Sequence, residues 1–400
     1  MSLMVKKFGG TSVADNDRIR NVAEIVTSDY AKGHQVVVIV SAQGDTTDDL
    51  IEKAAGLNPS ASKREMDMLL ACGEQISCAL LAMAVEKLGF PVISLTGWQA
   101  GMQTDSNHSI ARIKRIDTER VQMELDKRSI VIIAGFQGIN KFGDVTTIGR
   151  GGSDTTAVAF AAALNADLCQ IYTDVDGVFT ADPRIVPAAR KLEEVSLDEM
   201  LELASLGAQV LAIRSVEMAK RFHVSVEVLS SFSKKPGTIV KEVVKVEKMQ
   251  VSGIARDNNV ARIALIGLQD APGVAAKVFS LLAQHKINVD IILQSIGRND
   301  TKDITFTVAK GSMADVKALL EDHRESLGFD SLVISDKVSK VSVVGAGMVN
   351  NPGIAARMFE ALADTGINIQ MISTSEIKVS VLLDAADSDR AVQVLHDKFF

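Results

Sequence analysis

Three scarcities shape a first reading of this 400-residue chain. Cysteine is nearly absent: Cys72, Cys78 and Cys169 form no CxxC pair, and so sparse and odd a set reads as reduced thiols in a cytoplasm, not a disulfide frame. Aromatic residues make up only 4%, which counts against stacking on nucleic-acid bases. Positive charge is in deficit. With a net charge of -7, neither a nucleic acid nor an anionic membrane is an expected partner. Long apolar runs are lacking as well. The longest, such as "VVVIV", suit buried strands better than membrane spans of about 20 residues. The chain as given opens on no leader of positive, apolar and small-residue regions, so the expected compartment is the cytoplasm. The six histidines are scattered without zinc-like spacing, and no protein-bound metal is expected.

What is present is a globular composition, 47% hydrophobic and 23% charged, in a chain too long for one ordinary core. Two or three domains are expected. From residue 4 to about 230, apolar runs alternate with amphipathic stretches. "VKKF", "QVVVIVSA", "PVISL", "SIVIIAGF", "LCQIYTD" and "VSVEVLS" read as strands. Near-continuous apolar strands separated by helical patterns predict a mainly parallel sheet sandwiched by helices, an α/β fold. "SFSKKPGTIVKEVVKVEKMQ" breaks the rhythm with Pro, Gly and lysines and reads as a domain boundary. Beyond it, "DAPGVAAKVFSLLAQHKINVDIILQS" at 270–295 matches "NNPGIAARMFEALADTGINIQMISTS" at 350–375, an offset of 80 residues. Two copies are too few for a solenoid and predict paired small α+β modules. The second copy ends without a last strand. The otherwise unassigned "QVSGIARD" is expected to complete its sheet, which would interleave the modules.

Five motifs carry chemistry. "VKKFGGTSVAD" reads as strand, Gly-Gly turn and helix start, where the backbone N–H groups after Phe8, at Gly9 and Gly10, approach an anion and Lys7 reaches it. Ordinary turn chemistry has the same appearance. "VSAQGDTTDDL" puts Ser41 at a strand's carboxyl end, the ligand rim of open parallel sheets. Thr46, Thr47 and Asp48 there read equally well as helix caps. Glu74 sits in an apolar helix pattern, where a carboxylate on the outer polar face is the simpler reading than one gripping a cation. "TIGRGGSDTTA" sets Arg150, a fork suited to carboxylates, beside Gly151 and Gly152 and before Ser153 and Asp154 at a helix mouth. A capped helix with a surface arginine would not call for two glycines, so this motif reads as functional. In "IYTDVDGVFTADPR", Thr173 and Asp174 end a strand, Phe179 offers a ring face and Arg184 a phosphate partner, unless the stretch is a plain hairpin.

Together "KFGGTSVAD", "VSAQGDTTD", "GRGGSDTTA", "YTDVDGVFTADPR" and "SSFSKKPGT" resemble the aspartate kinases of the amino-acid kinase fold. The carboxyl-terminal repeat resembles their ACT (ferredoxin-like) modules. The resemblance implies a catalytic domain at 1–240, a linker and strand at 241–258, and ACT modules at 259–335 and 336–400. It implies phosphoryl transfer from ATP to L-aspartate, with Mg²⁺ carried on the ATP phosphates. Lys7, Phe8, Gly9 and Gly10 would hold those phosphates, and Asp154 would organise Lys7. Ser41, Thr47, Glu74 and Arg150–Ser153 would hold aspartate, with Glu74 meeting its ammonium group and Arg150 a carboxylate. Thr173, Asp174, Phe179, Arg184 and Gln209 would line the nucleotide site. Gln209 stands where many relatives carry lysine, Phe179 replaces a commoner tyrosine, and Gln43 a methionine.

The resemblance further implies feedback by lysine or threonine at the ACT modules. Asp270, Gly273, Val274, Asn288 and Gln294 would serve in the first copy. Asn350, Asn351, Ile354, Asn368, Thr374, Ser375 and Glu376 would serve in the second. A homodimer or larger assembly through these modules is expected, together with a possible internal start near Met249. Another carboxylate or carbamate kinase of this fold, or a sensor without turnover, remains an alternative reading of the residues. A fused dehydrogenase is not expected at this length and without a dinucleotide fingerprint.

Overall fold

The computed structural model describes residues 2–207, 210–242, 251–295, 297, 300–348, 351 and 353–400. Gln209, Met249, Asn350 and Pro352 lie outside the described residues. The chain forms two compact units. The first comprises Met1–Phe179, Arg190–Ser205 and Gln209–Val246, and the second Thr180–Ala189, Leu206–Ala208 and Glu247–Phe400.

The first unit begins β1 (Leu3–Phe8), α1 (Asn16–Ala31), β2 (Gln35–Val40), α2 (Thr46–Leu57), α3 (Lys63–Leu70), α4 (Cys72–Lys87). It continues β3 (Val92–Leu95), β4 (Met102–Thr104), β5 (Ile113–Ile116), α5 (Glu119–Asp126), β6 (Ile130–Ala134), β7 (Gln137–Ile139), β8 (Val145–Thr147). It closes with α6 (Gly152–Ala163), β9 (Leu168–Thr173), β10 (Glu194–Ser196), α7 (Leu197–Ser205), α8 (Ile213–Phe222), β11 (Val226–Ser230) and β12 (Thr238–Lys241). The main sheet runs β10-β12-β11-β9-β1-β2-β6-β3. The six apolar runs read as strands supply β1, β2, β3, β6, β9 and β11, and every pairing among them is parallel. Val36 to Val40 and Ile130 to Ala134 are buried throughout, because helices cover both faces. β12, inside the lysine-rich stretch read as a boundary, instead joins this sheet antiparallel to β11. A second sheet, β5-β4-β7-β8, has strands of three or four residues, too short to show a period in sequence.

The uninterrupted apolar runs are short as expected, yet among the described residues one helical stretch is apolar enough on average to reach membrane-spanning length. Lys63–Lys87 is a 25-residue stretch long and apolar enough, by length and composition, to cross a membrane. In this fold it forms α3 and α4, joined at Ala71, with Leu70, Cys78, Leu81 and Val85 buried in the unit.

The second unit holds β13 (Gly253–Asp257), β14 (Ala261–Gln269), α9 (Val274–Gln284), β15 (Ile292–Gln294), β16 (Thr301–Val308), α10 (Met313–Asp322), α11 (Arg324–Leu327) and β17 (Ser331–Ser335). Then follow β18 (Val338–Val344), α12 (Ile354–Asp364), β19 (Met371–Thr374), β20 (Lys378–Asp384) and α13 (Ser388–Phe399). Its two sheets have the same plan, β15-β16-β14-β17 and β19-β20-β18-β13. The fourth strand of the first sheet follows its own module, whereas that of the second, β13, precedes both and pairs antiparallel with β18. Thr180–Ala189 belongs to this unit. Ala181 and Val186 enter the apolar core around Val341, Met358 and Leu395, and Ile254 N–H donates to Thr180 O at 2.7 Å.

Candidate active site

β1 lies between β2 and β9, so the chain leaves it toward one side and later returns on the other. In an open parallel sheet the crevice at the carboxyl ends of such strands takes ligands. Four loops meet that rim: Gly9–Gly10 after β1, Ser41–Gly44 after β2, Gly135 after β6 and Asp174 after β9. They are laced by backbone bonds. Ser41 N–H donates to Phe8 O at 3.1 Å, Gly44 N–H to Gly10 O at 3.1 Å, and Gly135 N–H to Val40 O at 3.0 Å. Gly10 tolerates no side chain, since a Cβ there would lie 2.9 Å from Ala42 O.

Lys7 and Asp154 meet on this rim. The Lys7 ammonium is 2.7 Å from Asp154 Oδ1, both side chains 12% exposed. Asp154 stands in the first turn of α6, whose residues from Gly152 to Ala161 are all buried. Its Oδ2 also accepts from Ala212 N–H at 3.4 Å, just ahead of α8. Thus the amino-terminal glycine loop and the arginine-bearing helix mouth share one cleft. Ser153 is buried beside Gly135, where an added Cβ would lie 2.7 Å from Ser153 Oγ. Gly151 caps α6 at φ 69°, and a side chain there would collide with Ala212.

Glu74 overturns the simpler reading of its sequence context. It is 4% exposed rather than on an outer polar face. Oε1 accepts from Ala42 N–H at 3.1 Å, while the equally buried Oε2 has no hydrogen-bond partner among the described residues. Burial pushes its carboxyl up to about 7, against a partial opposing effect of backbone bonds. A buried acid with one oxygen unsatisfied is poised for a cationic ligand group. Thr46, Thr47 and Asp48 are not caps: Asp45 holds the N-cap position of α2, and they form its first turn. Thr47 is half-buried and Ser41 likewise.

Arg150 is exposed between two glycines of left-handed backbone, Gly149 at φ 86° and Gly151 at φ 69°. Thr173 Oγ1 donates to Asp174 Oδ1 at 3.0 Å, and Phe179 is half-buried, bridging to Lys191. The "DGVFTADP" stretch is not a hairpin. Its end, with Arg184, belongs to the second unit, where the guanidinium binds Asp182.

Three groups escaped the sequence reading. Lys6, facing away from Lys7 on the same strand, is fully buried, 2.6 Å from Asp29 Oδ2 and bonded to Gln170 and Tyr172. Asp67 in α3 is fully buried under five donor contacts. Arg214 of α8 donates to Ile148 O at 2.7 Å and Ala111 O at 2.9 Å. Strand alternation separates Lys6 from Lys7, but only packing shows which faces the cleft.

In the second unit, Gly273 at φ 91° and Gly353 at φ 106° begin α9 and α12 with bare backbone. Val274 and Ile354 are buried, and Asn351 is half-buried. Asn288, Gln294, Asn368, Thr374, Ser375 and Glu376 lie on the loops and strand ends that follow those helices, none of them buried, and Asp270 pairs with Lys302 at 2.9 Å.

Known proteins agree with this architecture. The amino acid kinase family profile matches residues 2–230, and ACT-domain profiles match 262–328 and 341–399. The chain is 51% identical over 405 residues to the aspartokinase of Mycolicibacterium smegmatis, covering 100% of this chain and 96% of that one. It is 50% identical over 400 residues to aspartokinase 2 of Bacillus subtilis, covering 100% and 98%. E. coli aspartokinase III in complex with aspartate and ADP (R-state) superposes with a TM-score of 0.84 at 26% identity over the whole of both chains. The same enzyme with lysine and aspartate (T-state) gives 0.78 at 28%, covering 100% of this chain and 99% of that one.

Proposed function

The chain belongs to the aspartokinase family, an ATP-dependent kinase with two ACT domains, and from that premise we propose its reaction and control. It transfers the γ-phosphoryl group of ATP to the β-carboxylate of L-aspartate, giving 4-phospho-L-aspartate on the way to lysine, threonine and methionine. The observation that carries this reading is the Lys7–Asp154 pair at 2.7 Å, which joins a phosphate loop to an acid-binding helix mouth. The E. coli relative was solved with aspartate and ADP, a substrate and a product of this reaction.

Each residue has a physical task. Lys7, with the Gly10 N–H, takes up charge on the migrating phosphoryl group, and Asp154 fixes the ammonium's position, while the Gly9 N–H is directed at Tyr172 O at 3.4 Å. Glu74 meets the substrate ammonium, and that cation draws off its proton. Arg150 grips the carboxylate that does not react, and Ser41, Thr47 and Ser153 supply hydroxyls. The attacking carboxylate is already ionised at neutral pH, so no general base is needed. Thr173, Asp174 and Phe179 serve the nucleotide. Among the described residues no cluster of three His, Cys, Asp or Glu side chains offers a metal cage. A cleft whose carboxylate already faces Lys7 fits an ion delivered on ATP, and Mg²⁺ held by phosphate oxygens would spread the developing charge.

Residues 1–240 form the catalytic domain in this reading. The stretch 241–258 is a linker and strand, and 259–335 and 336–400 are the ACT modules. Lysine, threonine or both bind at the bare helix starts of the modules, in a homodimer or larger assembly that has two arrangements. The lysine complex of the E. coli enzyme supports this. An ATP-dependent hydroxamate assay with L-aspartate, repeated with lysine and threonine singly and together, tests both parts. Turnover of glutamate but not aspartate overturns the substrate. A monomer indifferent to saturating lysine plus threonine overturns the control.

A further inference from the structure

We propose that Asp67 is a positioning residue for substrate recognition: it holds the end of β8, which aims Arg150 at the non-reacting carboxylate of aspartate. The proposal rests on the assignment of Arg150 given above. Among the described residues Asp67 touches no group assigned to either substrate, yet its carboxylate takes five donor contacts. Thr147 Oγ1 donates to its Oδ1 at 2.6 Å, and Thr147 N–H to its Oδ2 at 3.0 Å. Ser109 N–H is shared between both oxygens at 3.0 Å, and His108 Nδ1 is 2.9 Å from Oδ2. A carboxylate out of water costs several kcal/mol unless its lone pairs are met, so an apolar residue would staple α3 to these loops more cheaply. What the bonds add is direction.

That direction leads to Arg150. Thr147 ends β8, three residues before it, and Thr147 O accepts from Ala111 N–H at 2.9 Å. Arg214 then clamps the next layer through Ala111 O and Ile148 O, and Ile148 N–H donates to Phe136 O at 3.0 Å. Gly149 follows with Ser109 O closing over it, 3.2 Å from where a Cβ would stand. Arg150 itself is exposed and makes no ion pair among the described residues. With no side-chain partner among the described residues, its aim is set by the backbone beneath it. Slack at 147–149 moves the guanidinium, and a displacement of about 1 Å in a substrate-orienting group can cost ~10²-fold. Lys7, Glu74 and the phosphate loop hang on other elements and should not feel it.

The test is a split in Michaelis constants. Asp67→Asn puts an amide N–H₂ among the donors of Thr147, Ser109 and His108. It should raise KM for aspartate about tenfold while KM for ATP stays within about twofold. Thr147→Val keeps the backbone donors, guards against a failure to fold, and should give a smaller rise of the same kind. Val26→Ala, a core cavity in α1, is the control: it should lower Tm and leave both constants alone. Arg150→Met separates the two readings. If it leaves KM for aspartate unchanged, the Arg150 assignment falls, and this proposal with it. If Arg150→Met raises that constant while Asp67→Asn and Thr147→Val do not, only the positioning role is overturned. That role is overturned as well if both constants move together in step with Tm.

Discussion

Lys6 and Lys7 are adjacent in sequence and face opposite sides of β1. Behind the strand, the Lys6 ammonium is fully buried and saturated: Asp29 at 2.6 Å, the Gln170 amide and the Tyr172 hydroxyl surround it. Burial pulls Lys6 below its ordinary value, and the bond to Asp29 restores part of that. In front, Lys7 is partly open to the cleft and has one carboxylate, Asp154. The same division separates two acids on neighbouring helices. Asp67 has all its lone pairs met, whereas Glu74 keeps one buried oxygen unsatisfied. Saturated charges hold the fold. Charges left short of partners are held ready for a ligand, at a cost to stability.

Removing a saturated charge should give the largest effect. Lys6→Ala leaves the Gln170 oxygen unmet, removes one of Asp29's two lysine partners and opens a cavity behind β1, and should cost about 3–5 kcal/mol of stability, read from denaturant midpoints. Lys6→Met, which keeps the volume, should recover much of that. Lys7→Ala should shift the balance, lowering kcat on the order of 10²–10³-fold with a smaller fall in Tm than Lys6→Ala, because Lys7 and Asp154 are partly open to water in the cleft. A Lys7 variant that unfolds but keeps its turnover would erase the contrast.

Glu74 sharpens the comparison through pH. Its folded value of about 7 lies above the ordinary carboxyl value of 4.5, so the native protein binds the extra proton between those values. Stability therefore falls as pH rises through that window, by about 3 kcal/mol in all, and stays lower above it. Glu74→Gln should flatten the slope. Aspartate's ammonium favours the ionised form, so KM for aspartate should fall as pH rises through 7 in the native enzyme only. A pH-independent KM would remove Glu74 from the substrate site. The smallest effect expected is from Thr47→Val, about 1 kcal/mol in kcat/KM for aspartate, because it deletes one half-exposed hydroxyl.

Much of this was legible in the chain. Six apolar runs became the six mutually parallel strands, because doubly covered strands must be apolar on both faces. The 80-residue repeat reappears as two sheets of identical order. The glycine loop and the Arg150 motif could be read because close approach to a ligand demands residue types that packing alone does not. Less legible were β10, β12 and the short-stranded sheet, whose segments are too brief for periodicity. The burial of Glu74 and Asp67 was also hidden. An acid in an apolar helix looks the same in sequence whether it points out or in.

The residues by themselves determined the alternation of strands and helices, the duplicated module and the family, since each is a pattern along one dimension. Only the folded chain decided which lysine of a pair serves chemistry and which acid is satisfied. Those outcomes depend on desolvation and on partners tens to hundreds of residues away, and local sequence carries no record of either.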